Sequence, residues 1–120
     1  DIGSGAGFPG LVLAILRPDL TIHLIESDTR KAEFLRTVSR ETDTPIFIHS
    51  ERAETVLQQI NPVLITARAF APVLKILQLC EGAGITPKFL LLKGKEWRAE
   101  LGEAREFYDF AHENAASLTD

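Results

Sequence analysis

The sequence predicts an α/β fold in which a mostly parallel sheet carries helices on both faces. Strand-like and helix-like segments alternate strictly along the chain, and most strand-like segments are short and apolar without clean polar alternation. A glycine-rich stretch at residues 1–10 also precedes an apolar run that is compatible with a helix. In such sheets a ligand lies over the carboxyl ends of the strands, so we expect the functional site at that edge.

Prolines, glycines and capping residues set the limits of the predicted helices. Pro9 suits the first turn of a helix that ends before Pro18, and Ser27-Asp28 offers a cap for the second helix. Gly82 and Gly84 stop the fourth helix. The predicted helices span residues 11–16, 30–41, 53–60, 72–80 and 96–106.

Short runs rich in β-branched, leucine and aromatic residues predict the strands between these helices. In the helix at 30–41, the apolar spacing predicts that Phe34, Leu35 and Val38 face inward. The predicted strands span residues 21–25, 45–49, 63–66, 88–93 and 107–113.

Composition indicates one ordinary globular domain over residues 1–120, with 45% apolar and 25% charged residues. No apolar run approaches the roughly 20 residues of a membrane span, and one cysteine, Cys80, excludes an internal disulfide and fits the cytoplasm. The three histidines lie far apart and no cysteine pair exists, so no metal site is expected. A net charge of −4 excludes a globally basic nucleic-acid binder, so any RNA contact is expected to be local.

The two ends of the chain predict a piece of a longer protein. There is no methionine, and only Asp1 and Ile2 precede a loop that a full strand normally holds. We therefore expect a fragment that lacks most of its first strand and its closing strands.

The glycine loop fits two nucleotide-type cofactors. Residues 5–10 match the dinucleotide pattern G-x-G-x-x-G, and Glu26 lies at about the spacing of an acid that binds a ribose diol. The frame Asp1-x-Gly3-x-Gly5-x-Gly7 instead matches the loop of S-adenosylmethionine-dependent methyltransferases. Both cofactors carry adenosine, so Glu26 does not discriminate. Asp1 favours S-adenosylmethionine, because its carboxylate suits an ammonium group and is unwelcome beside pyrophosphate.

Four segments, in this order, resemble one family over essentially the whole chain. They are Gly-Ser-Gly-Ala-Gly-Phe-Pro-Gly at 3–10, Ser-Glu-Arg-Ala-Glu at 50–54, Ala-Arg-Ala-Phe-Ala at 67–71 and Leu-Leu-Lys-Gly-Lys at 91–95. Together they are similar to the bacterial 16S rRNA guanine-N7 methyltransferase family, also called the glucose-inhibited division protein B family. The resemblance implies a Rossmann-like class I methyltransferase fold, S-adenosylmethionine as cofactor, and 16S rRNA or the small ribosomal subunit as partner. We expect a monomer.

The loop motif and the resemblance together give the expected site residues. The expected cofactor-binding residues are Asp1, Gly3, Ser4, Gly5, Gly7, Phe8, Glu26, Ala53, Glu54 and Arg68. The expected substrate-binding residues are Arg68, Phe70, Lys93 and Lys95. Arg68 is expected to bind an RNA phosphate or the guanine edge, with an ion pair to Glu54 or Asp1 as the alternative. Phe70 is expected either to stack on a base or to form the cleft wall.

Methylation of guanine N7 needs no general base, because N7 carries a lone pair and no proton. We therefore expect no catalytic side chain, with proximity and alignment supplying the rate. Cys80 is interpreted as a packing residue, and Glu100, Glu103 and Glu106 as an exposed helix face. The alternatives are a small-molecule methyltransferase of the same fold, a non-catalytic nucleotide- or NAD-binding domain, and a ribosome-assembly factor that uses the cofactor structurally.

Overall fold

A computed structural model describes residues 1–68 and 70–116. Within these ranges, helices and strands alternate as the sequence predicts. The elements are α1 (Gly10–Leu16), β1 (His23–Ile25), α2 (Thr29–Glu41), β2 (Phe47–His49), α3 (Ala53–Ile60), β3 (Leu64–Arg68), α4 (Val73–Ala83), β4 (Lys88–Leu92) and α5 (Trp97–Arg105). None of these helices has the length and hydropathy that a bilayer span requires.

The strands form two parallel pairs, β1 with β2 and β3 with β4. Ile2 joins the pairs, because it makes one parallel bridge to Ile25 of β1 and another to Ala67 of β3. Its N–H donates to the carbonyl oxygen of Thr66 at 3.0 Å, and the N–H of Ile25 donates to the carbonyl oxygen of Asp1 at 2.9 Å. The sheet order is therefore β2, β1, the Ile2 segment, β3, β4. The direction of the strand order reverses at Ile2, so the glycine loop that follows lies at the topological switch point.

Helices cover both faces of this sheet, as predicted. Adjacent residues of β1 show the division, since Leu24 packs in one apolar cluster and Ile25 in the other. The smaller cluster contains Leu11 of α1 and Leu35 of α2. The larger cluster lies under α3 and α4 and contains Ile2, Ile25, Ala53, Val56, Leu57, Ile65, Ala67, Ile76, Cys80 and Ile85. Burial of these side chains is the main favourable contribution to folding.

Local capping explains where the helices begin and end. The Asp28 carboxylate accepts hydrogen bonds from the N–H groups of Arg30 and Lys31 at 2.9 and 3.2 Å, which confirms it as the N-cap of α2. Helix α4 continues past Cys80 to Ala83, because Gly84 at φ 72° supplies the left-handed C-cap.

Two expectations about packing and strands are wrong. Phe34 is 50% exposed although Leu35 beside it is fully buried, because the inward stripe of α2 is narrower than predicted. Residues 107–113 form no strand. The N–H groups of Phe107 and Tyr108 both donate to the carbonyl oxygen of Ala104, so they extend the end of α5 instead of joining the sheet.

Candidate functional site: the glycine loop and two adjoining cavities

The loop after Ile2 turns sharply and is held by its own backbone. Gly3, Gly5 and Gly7 have φ angles of 64°, 53° and 95°, a region that side chains with a Cβ rarely adopt. The N–H of Gly7 donates to the carbonyl oxygen of Ser4 at 2.7 Å, and the Ser4 hydroxyl donates to the carbonyl oxygen of Asp1 at 3.0 Å. Ser4 is buried, so its hydroxyl supports the loop from within.

Glu26, directly after β1, binds the loop through its carboxylate. Its Oε1 accepts a hydrogen bond from the N–H of Gly5 at 2.8 Å, and its Oε2 accepts one from the N–H of Asp28 at 2.9 Å. The Glu26 side chain is buried. Burial of a carboxylate requires such hydrogen-bond partners. Glu26 thus lies beside the glycine loop, and its expected contact with a ribose stays a prediction.

Asp1 makes contacts other than those expected of it. Its Oδ1 accepts a hydrogen bond from the Thr66 hydroxyl at 2.8 Å, and its Oδ2 accepts one from the N–H of Gly10 at 3.3 Å. The carboxylate therefore joins β3 to the start of α1 and lines neither cavity described below. The structure shows these contacts within the protein, and the expectation that Asp1 faces a cofactor's ammonium group stays a prediction.

The first cavity lies at the carboxyl ends of β1 and β2 and has a volume of about 80 Å³. Three expected cofactor-binding residues line it: Gly3, Ala53 and Glu54. Ile25 and Ser27, which flank Glu26, also line this cavity and were not among the expected site residues. The full lining is Gly3, Ile25, Ser27, Glu51, Arg52, Ala53, Glu54 and Phe70.

The second cavity lies at the carboxyl end of β4 and has a volume of about 390 Å³. It is lined by Phe70, Ala71, Pro72, Leu92, Lys93, Gly94 and Glu100. Phe70 lines both cavities and is 40% exposed. Its ring lies over Gly3, where a Cβ would be 2.5 Å from the Phe70 Cδ1. Phe70 therefore forms the wall between the two cavities.

Lys93 lines the second cavity, but its ammonium group is bound within the protein. The Lys93 Nζ lies 2.9 Å from the Glu100 Oε1 and also donates to the carbonyl oxygen of Ala71. The same Oε1 accepts a hydrogen bond from the N–H of Val73 at 3.1 Å. Glu100 was expected on an exposed face with Glu103, and this expectation is wrong. Its role depends on a contact with Lys93, directly after β4, that spacing along one helix does not show.

Three other expected site residues do not line the cavities. Arg68, Lys95 and Phe8 are exposed and line neither cavity. In the part of the chain that the structure describes, Arg68 forms no ion pair with Glu54 or Asp1. Glu54 lies instead 3.6 Å from the exposed guanidinium of Arg52. The two ion pairs given as alternatives are therefore not formed, and the binding role of Arg68 stays a prediction.

Comparison with known proteins decides the family. A family model described as GidB, rRNA small subunit methyltransferase G, matches residues 1–119. This chain belongs to that family. It is 42% identical over 126 residues to the ribosomal RNA small subunit methyltransferase G of Paramagnetospirillum magneticum. It is 45% identical over 129 residues to the protein of the same name from Rhodospirillum rubrum.

The relatives are longer than this member of the methyltransferase G family. All of the chain aligns, but it spans 58% of the Paramagnetospirillum magneticum protein and 59% of the Rhodospirillum rubrum protein. A relative from Caulobacter vibrioides, 40% identical over 128 residues, is 56% covered. The family has the Rossmann-like class I methyltransferase fold, which agrees with the parallel sheet and its two layers of helices.

Cys80, His23 and His49 of this methyltransferase G family member lie outside the glycine loop. Cys80 packs in the larger core cluster, and burial raises the pKa of its thiol to about 11, so the thiol is neutral near pH 7. The Nδ1 of His23 lies 2.9 Å from the Nε2 of His49. Burial lowers the pKa of His23 most, and the charge of His49 lowers it further. Neither histidine lines a cavity. Among the described residues no three side chains cluster as metal ligands.

Proposed function

We propose that this protein transfers a methyl group from S-adenosylmethionine to N7 of a guanosine in 16S ribosomal RNA. The observation that carries the proposal is the arrangement at the switch point of a methyltransferase fold. There, a glycine loop bound by the buried Glu26 borders a cavity at the strand ends. The shared name of the relatives, ribosomal RNA small subunit methyltransferase G, supports RNA as the substrate.

The residues around the first cavity fit the adenosine portion of the cofactor. Ile25 and Ala53 offer apolar contacts to a flat base, and Ser27 and Glu54 offer polar groups at the same rim. Each Glu26 oxygen accepts one hydrogen bond from the protein and retains a lone pair for a ribose hydroxyl. A ligand site usually encloses roughly 300 Å³ or more. At about 80 Å³, this cavity encloses part of the cofactor, so we expect the rest to lie along residues 3–8.

The cofactor supplies an electrophilic methyl group on a sulfonium, and the residues of this chain supply alignment. Guanine N7 needs no deprotonation, so no side chain has to act as a base. The Arg68 guanidinium has only N–H donors and is suited to binding, while Cys80 is buried and neutral. The reaction is therefore compatible with a site that has no catalytic side chain. Its rate would come from holding the two reactants in line.

The second cavity and its rim are proposed to receive the RNA. Phe70 separates this cavity from the first, so a base stacked on its ring would lie next to the cofactor. Exposed Arg68 and Lys95 suit phosphate contacts. Lys93 is proposed to shape the cavity through Glu100 more than to contact a phosphate, because its ammonium is already bound. The chain carries a net charge of −4, so these contacts would be local.

The substrate assignment is tested with the full-length protein, S-adenosylmethionine and small ribosomal subunits from cells that lack the modification. The RNA is then digested and its nucleosides are analysed by mass spectrometry. We expect new 7-methylguanosine, formed more slowly by Arg68→Ala. The control is Arg40→Ala, because Arg40 is another exposed arginine, in the last turn of α2, and its substitution should leave the rate unchanged. A methylated small molecule with unmodified RNA would favour the small-molecule alternative.

We propose that the active protein is a cytoplasmic monomer.

A further inference from the structure

We propose that Thr66 is a positioning residue for the cofactor, acting through Asp1 on the glycine loop. The inference rests on the proposed function, because it concerns how the chain prepares its loop for S-adenosylmethionine. Thr66 lies in the middle of β3 and lines neither cavity, so it would act without touching the cofactor.

The Thr66 side chain is buried, at 6% exposure, on the sheet face opposite Ile65 and Ala67. Its two neighbours pack in the large apolar cluster, whereas its hydroxyl donates to the Asp1 Oδ1 at 2.8 Å. A valine has nearly the same shape and suits a buried strand at least as well. What the threonine hydroxyl contributes and a valine cannot is therefore the hydrogen bond to a carboxylate 65 residues away in sequence.

Asp1 carries this contact on to the far end of the loop. Its Oδ2 accepts a hydrogen bond from the N–H of Gly10, the first residue of α1. The approach is close, because a Cβ on Gly10 would lie 2.5 Å from the Asp1 Cβ and 2.5 Å from the Leu24 Cδ2. The carbonyl oxygen of Thr66 also accepts from the N–H of Ile2 at 3.0 Å. Thr66 thus holds the chain just before the loop directly, and just after it through Asp1.

These anchors matter because the loop between them has little stiffness of its own. Three glycines at positive φ occupy positions 3–7, and glycine backbones lose the most conformational freedom when they are ordered. If an anchor is removed, the loop spends less time in the binding geometry. The apparent affinity for the cofactor then falls by the fraction of competent molecules that is lost.

The test compares Thr66→Val with Thr66→Ser in the full-length protein, with S-adenosylmethionine binding measured by calorimetry. Thr66→Val removes the hydroxyl and leaves the Asp1 Oδ1 without its donor. We expect a roughly tenfold rise in Kd, equivalent to about 1.4 kcal/mol. Thr66→Ser keeps the hydroxyl and should bind within about twofold of the wild type. If Thr66→Val does not fold, Thr66→Ala removes the same hydroxyl without adding an atom.

Thr44→Val is the matched control for a general loss of stability. Thr44 is also a buried threonine, at 7% exposure, and its hydroxyl lies 2.8 Å from the Thr42 Oγ1 in the turn before β2. This substitution should lower the melting temperature and leave the cofactor Kd unchanged. A similar rise in Kd for both valine variants would overturn the positioning role, because destabilisation alone would then explain it.

A double-mutant cycle with Asp1→Ala, which removes the acceptor of the Thr66 hydroxyl, tests whether the effect passes through Asp1. If it does, Thr66→Val should add little to the Kd of Asp1→Ala, whereas independent effects would multiply. Wild-type binding with an unchanged Kd in Thr66→Val would overturn this inference and leave the proposed function standing. Failure of the wild type to bind S-adenosylmethionine would remove the proposed function, and this inference with it.

Discussion

The Glu26 carboxylate binds the backbone of the glycine loop directly, with its Oε1 accepting the N–H of Gly5 at 2.8 Å. The contact joins the end of β1 to a loop 21 residues earlier in the chain. Because Oε2 is bound to the N–H of Asp28, the carboxylate also holds the start of α2. One buried acid therefore connects the loop, a strand end and a helix cap.

Glu26→Gln should weaken both the fold and cofactor binding. An amide keeps one acceptor and presents an NH₂ group to a backbone N–H, so one of the two contacts is lost. We expect the free energy of unfolding to fall by about 1–3 kcal/mol, measured by urea denaturation, with a higher Kd for S-adenosylmethionine. Glu103→Gln, on the exposed face of α5, is the control and should change neither quantity. Equal effects of the two substitutions would contradict the role given to Glu26.

Gly3→Ala should destabilise the protein for two separable reasons. Its φ of 64° is unfavourable for alanine by roughly 1–2 kcal/mol, and the new Cβ would lie 2.5 Å from the Phe70 Cδ1. Adding Phe70→Ala should relieve the clash but not the backbone strain, so the pair should not be additive in urea unfolding.

The control for Gly3→Ala is Gly82→Ala, because Gly82 lies within α4 and a Cβ there meets nothing within 4 Å. This control should raise the free energy of unfolding by about 0.5–1 kcal/mol. A neutral Gly3→Ala would contradict both the backbone strain at Gly3 and the packing of Phe70 over it.

Lys93→Met should be markedly more destabilising than loss of an exposed ion pair. The Lys93 and Glu100 side chains are only 14% and 21% exposed, so removing the lysine leaves a carboxylate poorly solvated. We expect a loss of about 1–3 kcal/mol in urea unfolding. Arg17→Met is the comparison, because Arg17 and Asp19 are 58% and 60% exposed and such a pair contributes little. Similar losses for the two variants would contradict the contribution given to the partly buried ion pair between Lys93 and Glu100.

Cys80 should make the protein less stable at alkaline pH. Burial raises the pKa of its thiol from 9.0 to about 11, so above pH 9 the unfolded chain releases this proton before the folded one does. Stability should therefore fall as the pH rises from 9 towards 11. The midpoint of urea unfolding at pH 8 and at pH 10.5 measures this. Cys80→Ala should show a smaller fall over the same range, and an equal fall would assign the effect to other groups.

Local signals predicted much of this fold from the sequence. The helix at 53–60 has the predicted bounds, and Asp28 caps α2 as expected. The order of elements also follows from the sequence. Glu26 and the glycine loop both follow strands, and the carboxyl ends of parallel strands meet at one edge of the sheet.

The features that could not be predicted depend on contacts between distant segments. Thr66 and Glu100 have ordinary places in their own elements and acquire their roles only through Asp1 and Lys93. Residues 107–113 include aromatic residues that favour strands, but a strand forms only when its backbone pairs with another strand. Here the backbone groups of Phe107, Tyr108 and Phe110 bond to residues of α5 instead. Phe34 shows that spacing predicts a helix face only to within one residue or so.

Calorimetric titration of the full-length protein with S-adenosylmethionine, and separately with NAD, tests the central claim most directly. The glycine loop, Glu26 and the first cavity are together assigned to S-adenosylmethionine. We predict saturable binding of one S-adenosylmethionine per chain, no comparable binding of NAD, and a weaker affinity in Glu26→Gln. Tighter binding of NAD, or no binding of either cofactor, would contradict the account.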